Sequence, residues 1–242
     1  MIRRTLATAV AAVGVVALLP LSASAARPGP VMPHGAQATS QAAAVGNCNL
    51  SVPTRVAIGR PNLILQGKVS GECNRAGNSS GWLLYHPSYT EAVNGVLFDT
   101  TQQYGDGTWQ IPARHPLGNM TFDGVFSENQ DGAVYNQNKV AVTVKLAAGA
   151  WISSSRSGDV VTLKGTSLLY SVNSNTFFKR SAGGVFQFRE RGTTTWKTLK
   201  SVYTNSKGEV TMAYRYSKTR DYRFSLYSTP ISWDLGSAVT TR

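Results

Sequence analysis

The sequence has few of the residues from which catalytic and metal-binding sites are built. It contains 3 histidines and 2 cysteines among 242 residues, and 12 acidic residues against 24 basic ones. His34, His86 and His115 do not share the helical or strand spacing that metal ligands need. The motifs H-E-x-x-H and G-x-S-x-G and a glycine loop that cradles phosphate are all absent. We therefore expect no metal, no cofactor and no catalytic residue, and so no enzyme.

Two alternatives to this expectation stay open. Acidic residues of the first half lie in or beside Y-G-D-G-T-W and N-Q-D-G-A-V, which are first of all turn sequences because Asp-Gly adopts turn backbone angles readily. The same density of oxygen atoms is compatible with calcium binding. The acidic residues of this first alternative are Asp99, Asp106, Asp123, Glu128 and Asp131.

A small hydrolase around His86 and His115 is the second alternative. It predicts turnover that His→Ala changes abolish without loss of folding.

A single long apolar run is present, near the start of the sequence. Residues 6–19 are apolar, follow Arg3 and Arg4, and precede the small residues S-A-S-A-A. This order indicates a secretory signal peptide over residues 1–25. No later segment has the ~18 apolar residues of a membrane helix, so we expect a secreted protein without a membrane span. Residues 26–46 are rich in Pro, Gly, Ala and Gln without periodicity, which predicts a disordered linker.

Cys48 and Cys73 are the two cysteines. Because an exported protein meets an oxidising environment, we predict a disulfide between them. In the chain-entropy model such a bridge is worth roughly 3 kcal/mol. We expect Cys48 to lie just before the first strand and to tie down the end of the second.

The remainder of the chain has the composition and pattern of an all-β protein. Val, Thr, Tyr, Phe and Trp are frequent, whereas good helix formers are scarce after the apolar run. Short segments of alternating apolar and polar residues, such as A-V-T-V-K, are separated by Gly, Asn and Asp turn signals. Seven such segments in about a hundred residues are typical of an immunoglobulin-like β-sandwich.

The segment order occurs twice, which predicts two tandem seven-stranded immunoglobulin-like domains, over residues 47–147 and 148–242. The second copy follows the first at offsets of 97 to 101 residues. The matched pairs are Gly67 with Gly165, Gly107 with Gly208, and Val142 with Val239.

The second copy also resembles a known family. Its sequence W-K-T-L…T-N-S-K-G-E-V-T…D-Y-R-F-S-L is similar to the bacterial immunoglobulin-like domains of secreted actinobacterial proteins. Trp196, Gly208 and Tyr222 stand at the places of that pattern, which is weaker over residues 48–146. The resemblance implies a spacer, an adhesion module or a carbohydrate-binding attachment at the cell envelope.

Positive charge is concentrated in the second domain. Residues 145–242 hold 15 Lys and Arg against 5 Asp and Glu, a net charge of +10, whereas residues 46–144 hold 6 against 7. Such an imbalance indicates what a domain meets rather than how it folds. The candidate partner is an anionic envelope polymer or polysaccharide. No nucleic-acid-binding motif is present, and export argues against genomic nucleic acid as a partner.

Strand alternation suggests where these charges lie. In D-Y-R-F-S-L-Y-S it places Tyr222, Phe224 and Leu226 on one face, with Arg223 and Tyr227 on the other. We predict an exposed basic and aromatic face as the ligand-binding site, although solubility and protection of sheet edges explain the same charges. The predicted residues are Arg189, Arg215, Lys218, Arg220, Arg223 and Tyr227.

A protein partner is the alternative to an anionic polymer. The chain would then be a secreted inhibitor or protein-binding factor that uses an exposed loop. Residues 74–81 and residues 171–184 are the two candidate segments. The second includes Phe177 and Phe178 side by side, and in a strand one of them must face outward.

Overall fold

A computed structural model describes residues 44–99 and 105–242 of the chain. The predicted signal peptide and the predicted linker up to residue 43 lie outside the described residues. The described part consists of β-strands and one short 3₁₀-helix, Glu72–Asn74. The expectation of an all-β protein is therefore confirmed. In this part of the chain no helix is long and apolar enough to cross a membrane.

Residues 47–146, the first module, form three sheets. The largest has the strand order β2-β11-β9-β5-β6-β7, a second has the order β10-β1-β4, and β3 pairs with β8. The strands are β1 (Asn47–Ser51), β2 (Arg55–Ile58), β3 (Asn62–Gln66), β4 (Lys68–Gly71), β5 (Ser79–Tyr85), β6 (Ala92–Asp99), β7 (Gly105–Asp106), β8 (Thr108–Pro112), β9 (Gly118–Glu128), β10 (Asn136–Gln137) and β11 (Val140–Leu146).

Residues 148–242, the second module, form two sheets. In one, β13 pairs with β12 on one side and with both β14 and β17 on the other; the second has the order β16-β15-β18-β19, and β20 also pairs with β18. The strands are β12 (Ala148–Ser157), β13 (Val160–Ser171), β14 (Thr176–Lys179), β15 (Gly183–Glu190), β16 (Lys197–Tyr203), β17 (Glu209–Arg215), β18 (Arg220–Leu226), β19 (Leu235–Gly236) and β20 (Thr240–Thr241). Among the described residues, the second module has seven strands besides the two-residue β19 and β20, whereas the first has nine besides the two-residue β7 and β10.

Each module has its own hydrophobic core. Trp82, Trp109 and Phe122 are fully buried in the first core, and Phe186 and Phe224 are fully buried in the second. These side chains occupy alternate positions of their strands, so that one face of each strand is apolar. Burial of each such side chain stabilises the fold by about 1.5–3 kcal/mol.

The two modules share one backbone contact, which a glycine with positive φ makes in each. Gly67 N–H donates to the Gly107 carbonyl at 2.9 Å, and Ser167 N–H donates to the Gly208 carbonyl at 2.8 Å. Gly107 and Gly208 both have a positive φ, of 77° and 69°, which side chains other than glycine rarely adopt. The match of Gly107 with Gly208 is therefore structural. The match of Gly67 with Gly165 is not, because Ser167 and not Gly165 makes the hydrogen bond that corresponds to that of Gly67.

The match of Val142 with Val239 is not structural. Val142 is buried within β11, whereas Val239 is exposed and lies between β19 and β20. Because the last segment of the second module forms two-residue strands, it does not repeat the long β11 of the first.

The modules contact each other through the loop that follows β18. Trp233 Nε1–H donates to the Val56 carbonyl at 2.7 Å. The Arg55 guanidinium and the Lys145 ammonium lie 4.2 Å and 4.5 Å from the centre of the Trp233 ring. Tyr170, at the end of β13, is buried within the core of the first module. The Trp233 indole of the second module thus contacts two cations and one backbone carbonyl of the first module.

The predicted disulfide between Cys48 and Cys73 is present. The expectation that Cys48 precedes the first strand is wrong, because Cys48 lies inside β1 and is buried there with Leu50. Cys73 lies in the 3₁₀-helix that follows β4. The sequence N-C-N-L-S contains only two apolar residues, so its alternation was too short to predict a strand.

Candidate functional site

The site is built on the outer face of the sheet formed by β15, β16 and β18. β15 and β18 pair in antiparallel register, with Gln187 opposite Arg223 and Arg189 opposite Asp221. The neighbouring positions, occupied by Phe186 and its partner Phe224, are fully buried in the core. Since side chains alternate between the two faces of a sheet, the two arginines lie on the outer face, as the sequence predicted.

Trp196 links the two arginines. It lies just before β16 and is half-buried. The guanidinium carbons of Arg189 and Arg223 lie 4.8 Å and 4.4 Å from the centre of its ring. Both distances are within the range of cation–π attraction. One indole therefore holds two like charges together on an open sheet face.

Hydrogen bonds orient both guanidinium groups through their Nε atoms. Arg189 Nε–H donates to Asp221 Oδ2 at 3.0 Å, and Arg223 Nε–H donates to Gln187 Oε1 at 2.7 Å. The Asp221 carboxylate also accepts a hydrogen bond from Thr241 Oγ1 at 2.7 Å. The hydrogen bond from Thr241, and then that from Arg189, lower the pKa of Asp221, so that the carboxylate stays charged. In the described part of the chain the terminal amino groups of the two arginines have no hydrogen-bond partner.

The electrostatics of this face favour an anion. Partial burial and the neighbouring charge of Arg189 lower the pKa of Arg223. Arg191 is exposed at the end of the same strand hairpin. Lys197 and Lys200 are exposed too, but they lie opposite Phe188 and Phe186 and so do not belong to the outer face. Because a guanidinium presents paired N–H groups in one plane, it binds phosphate, sulfate or carboxylate with two hydrogen bonds. Two oriented guanidinium groups with free amino groups are therefore suited to an anionic ligand.

Aromatic rings extend the face beyond the arginines. Tyr203 and Tyr227 flank Gly183, where a side chain would contact both rings. The Tyr227 hydroxyl is hydrogen-bonded to Ser201 Oγ at 3.0 Å, and both tyrosines are exposed. An exposed ring of this kind offers an apolar surface and a polar tip at once, as stacking on a sugar requires.

The six residues predicted for the site do not form one cluster. Arg189, Arg223 and Tyr227 lie on the outer face described above. Arg220 points instead toward the inner side, where it pairs with Glu190 and lies 3.4 Å from the centre of the Tyr216 ring. Arg215 lies in β17, in the other sheet of the module, opposite Val160. Lys218 lies in the loop between β17 and β18, and its carbonyl accepts a hydrogen bond from Arg156 at 2.8 Å.

Sequence reasoning missed the part played by Trp196. The sequence predicted that Trp196 opens a strand over residues 196–204, but β16 begins at Lys197, so alternation along the strand does not give the face of Trp196. A tight turn, in which Thr193 N–H donates to the Glu190 carbonyl at 3.1 Å, carries the chain back toward β15. The available signal was a tryptophan between a turn sequence and two nearby lysines, Lys197 and Lys200.

The other candidate chemical groups occupy structural positions. Asp106 and Asp131 stand before Gly107 and Gly132, whose φ values are 77° and 78°. Within residues 44–99 and 105–242 no group of three His, Cys, Asp or Glu side chains lies together as a metal site would require.

The two histidines of the first module contact backbone carbonyls. His86 Nε2 lies 3.0 Å from the Leu117 carbonyl, and His115 Nδ1 lies 2.9 Å from the Pro116 carbonyl. Burial lowers the pKa of His115, which favours the neutral imidazole.

Comparison with known proteins finds a distant structural similarity to solved domains and no sequence match. No protein-family model matches the chain, and no curated protein matches it. Among solved structures, the D00-D0 domain of Intimin is similar at 12% identity, over 80% of this chain and 98% of that one, with a TM-score of 0.26. The D0-D1 domain of Intimin is also 12% identical, over 81% and 98%, with a TM-score of 0.24. The assignment to the all-β class rests on the strand pairing described above.

Proposed function

We propose that this protein is a secreted, non-catalytic binding protein of the cell envelope or extracellular matrix, and that its second module binds an anionic polymer. The observation that carries the proposal is the position of Trp196 against both Arg189 and Arg223. The disulfide fits an oxidising compartment outside the cytosol. The two domains of the predicted tandem repeat would serve as a rigid support for this face.

A polymer fits the face better than a small anion. The net charge of +10 over residues 145–242 extends well beyond the two arginines, and the exposed tyrosines add stacking surfaces along the same sheet. Several weak contacts along one chain sum to a useful affinity even though each is small. Such binding weakens steadily with salt, because each ion pair releases counterions.

The test is binding of residues 26–242 to three immobilised polymers across a salt series. Poly(glycerol phosphate) provides phosphate, polygalacturonate provides carboxylate, and dextran is the neutral control. We expect binding to one or both anionic polymers that falls steadily with salt, and no binding to dextran. Equal binding to dextran, or binding to none of the three at low salt, would contradict the proposal.

Protein binding is a second candidate function, and one observation favours the segment 171–184 over the other proposed loop. This segment includes β14, in which Phe177 and Phe178 are both exposed. In residues 74–81, by contrast, Asn78 and Ser80 are buried and β5 has already begun. A protein partner would therefore meet the second module at β14.

A further inference from the structure

Strand β14 is an open sheet edge. Among the described strands it pairs with β13 alone, over Leu168–Ser171. All four of its residues, Thr176–Lys179, are exposed. An edge strand covered by a neighbouring loop would not leave every residue accessible.

The hydrogen bonds around β13 show which backbone groups of β14 face outward. Tyr170 N–H donates to the Ala147 carbonyl at 2.9 Å, so the backbone groups of Tyr170 point away from β14. Arg180 N–H donates to the Ser167 carbonyl at 3.4 Å, so the backbone groups of Arg180 point toward β13. Because backbone groups alternate in direction along an antiparallel strand, Phe178 N–H and C=O point toward β13. The N–H and C=O groups of Phe177 and Lys179 then point outward, and within the described part of the chain they have no partner.

The two phenylalanines of β14 lie on opposite faces of the sheet. Phe177 is opposite Tyr170 and Phe178 is opposite Leu169, and their exposed fractions are 41% and 44%. Beside Phe177 runs a groove of about 690 Å³, whose lining includes Leu168, Lys179, Leu235 and Trp151. Trp151 is 66% exposed. An unpaired edge thus borders an apolar groove on one face and an exposed ring on the other.

We propose that β14 is the docking edge for an extended, acidic segment of a protein partner, which adds to the sheet as a further strand. A strand reaches both faces of the sheet at once, since its side chains alternate, and it can cover Phe177 and Phe178 together. Only a polypeptide also pairs with the outward N–H and C=O groups of Phe177 and Lys179. This mode of binding takes affinity from the main chain and specificity from the groove.

Charge identifies the partner as acidic and argues against a second copy of this chain. Lys164 and Lys179 share the Glu209 carboxylate at 2.9 Å and 2.7 Å, which leaves the rim of the groove with net positive charge. Arg180 follows directly in sequence. Two modules of net charge +10 brought together at this edge would repel each other, and lysine at an edge strand opposes such self-pairing. An acidic segment experiences the opposite effect.

The test uses a library of octapeptides in which Asp or Glu alternates with Val, Tyr or Phe, presented to residues 26–242. We expect selected peptides to bind and to slow hydrogen exchange at the Phe177 and Lys179 amides. The same peptides N-methylated at alternate residues keep their side chains but lose the N–H groups that would donate to the outward carbonyls of β14. They should bind at least tenfold more weakly. Phe177→Pro, which removes one outward N–H, should weaken binding beyond Phe177→Ala, and thermal unfolding shows whether both variants fold.

Three outcomes would overturn the proposal. The first is a library in which no peptide slows exchange at these two amides. The second is equal binding of the N-methylated peptides, which would mean docking by side chains alone. The third is protection of the same amides in the free protein by self-association, shown by a dependence of sedimentation on protein concentration.

Discussion

The guanidinium carbon of Arg223 lies 4.4 Å from the centre of the Trp196 ring, on the outer side of a sheet whose inner side is aromatic core. The Arg223 guanidinium also lies beside β19, since a Cβ atom at Gly236 would be 3.8 Å from its Nη1. The guanidinium carbon of Arg189 lies 4.8 Å from the centre of the same ring. The ring holds both cations in place. Asp221 offsets the charge of Arg189, whereas Arg223 is paired with the neutral Gln187 amide and keeps its charge for an anion.

Removal of the Trp196 ring should weaken binding of the anionic polymer. Each cation–π contact at an exposed site is worth about 0.5–1 kcal/mol. Because both contacts are present in the free protein too, the loss of the two sets an upper limit of roughly five- to thirty-fold on the fall in affinity. Titration calorimetry of Trp196→Ala with poly(glycerol phosphate) measures the change. Trp151→Ala, which removes an exposed indole from the other sheet, is the matched control and should bind as the wild type does.

The stability of the second module should depend on pH through Glu209. Hydrogen bonds from Lys179, and then from Lys164, lower the pKa of this carboxyl from 4.5 to about 2. A lowered pKa means that the folded state favours the charged form, so the contribution is fully present above pH 4.5 and is lost as the pH falls toward 2. The difference in melting temperature between wild type and Glu209→Gln should therefore shrink from pH 6 to pH 2.

A constant difference over that range would show that Glu209 acts by packing and not by charge. Asp159→Asn provides the control, because the Asp159 carboxylate forms no ion pair in the described part of the chain. Its melting temperature relative to wild type should not follow the same course.

Gly208→Ala should destabilise the second module more than Gly192→Ala. Both glycines have a positive φ, of 69° and 78°, so both variants bear the cost of a left-handed residue, about 1–2 kcal/mol. A Cβ atom at Gly208 would also lie 2.7 Å from the Ser167 carbonyl oxygen, whereas one at Gly192 meets nothing within 4 Å. Urea unfolding of the two variants isolates the steric contribution, and equal midpoints would contradict the account of this turn.

Trp233→Ala should weaken the coupling between the two modules, which Tyr170 still maintains in part. The change removes the hydrogen bond to the Val56 carbonyl and the contacts with Arg55 and Lys145, and it leaves each hydrophobic core unchanged. We expect one sharp calorimetric transition in the wild type and a broader transition at lower temperature in the variant. An unchanged transition in the variant would mean that this contact does not couple the modules.

Sequence patterns predicted the faces of strands well where the strands are long. In β18 the apolar residues Tyr222, Phe224 and Leu226 are all buried, and Arg223 lies outside, as alternation requires. The same alternation places Arg220 on the face of Tyr222 and Phe224, where it pairs with Glu190 and lies over the rings of Phe188 and Tyr216. The prediction that grouped Arg220 with Arg223 was therefore wrong because it followed the density of basic residues and not the strand pattern.

The candidate site needed the register between distant segments, which no local pattern supplies. The pairing of Gln187 with Arg223 sets the distance between Arg189 and Arg223, and the turn after β15 brings Trp196 to both. Strand pairing also separates Arg215 from these residues, because β17 pairs with β13 in the other sheet. Composition predicted a basic second module, but the strand pairing determines which of its charges act together.

The most direct test of the central claim compares Arg223→Gln with Arg215→Gln in binding to the anionic polymer that the wild type prefers. Both variants lose one positive charge, but Arg223 lies against Trp196 and Arg215 lies on the other sheet. The account predicts that Arg223→Gln lowers the affinity about tenfold, the equivalent of 1.4 kcal/mol, and reduces the salt dependence, whereas Arg215→Gln changes both little. Equal losses in the two variants would show that net charge alone attracts the polymer and would contradict a defined site at Trp196.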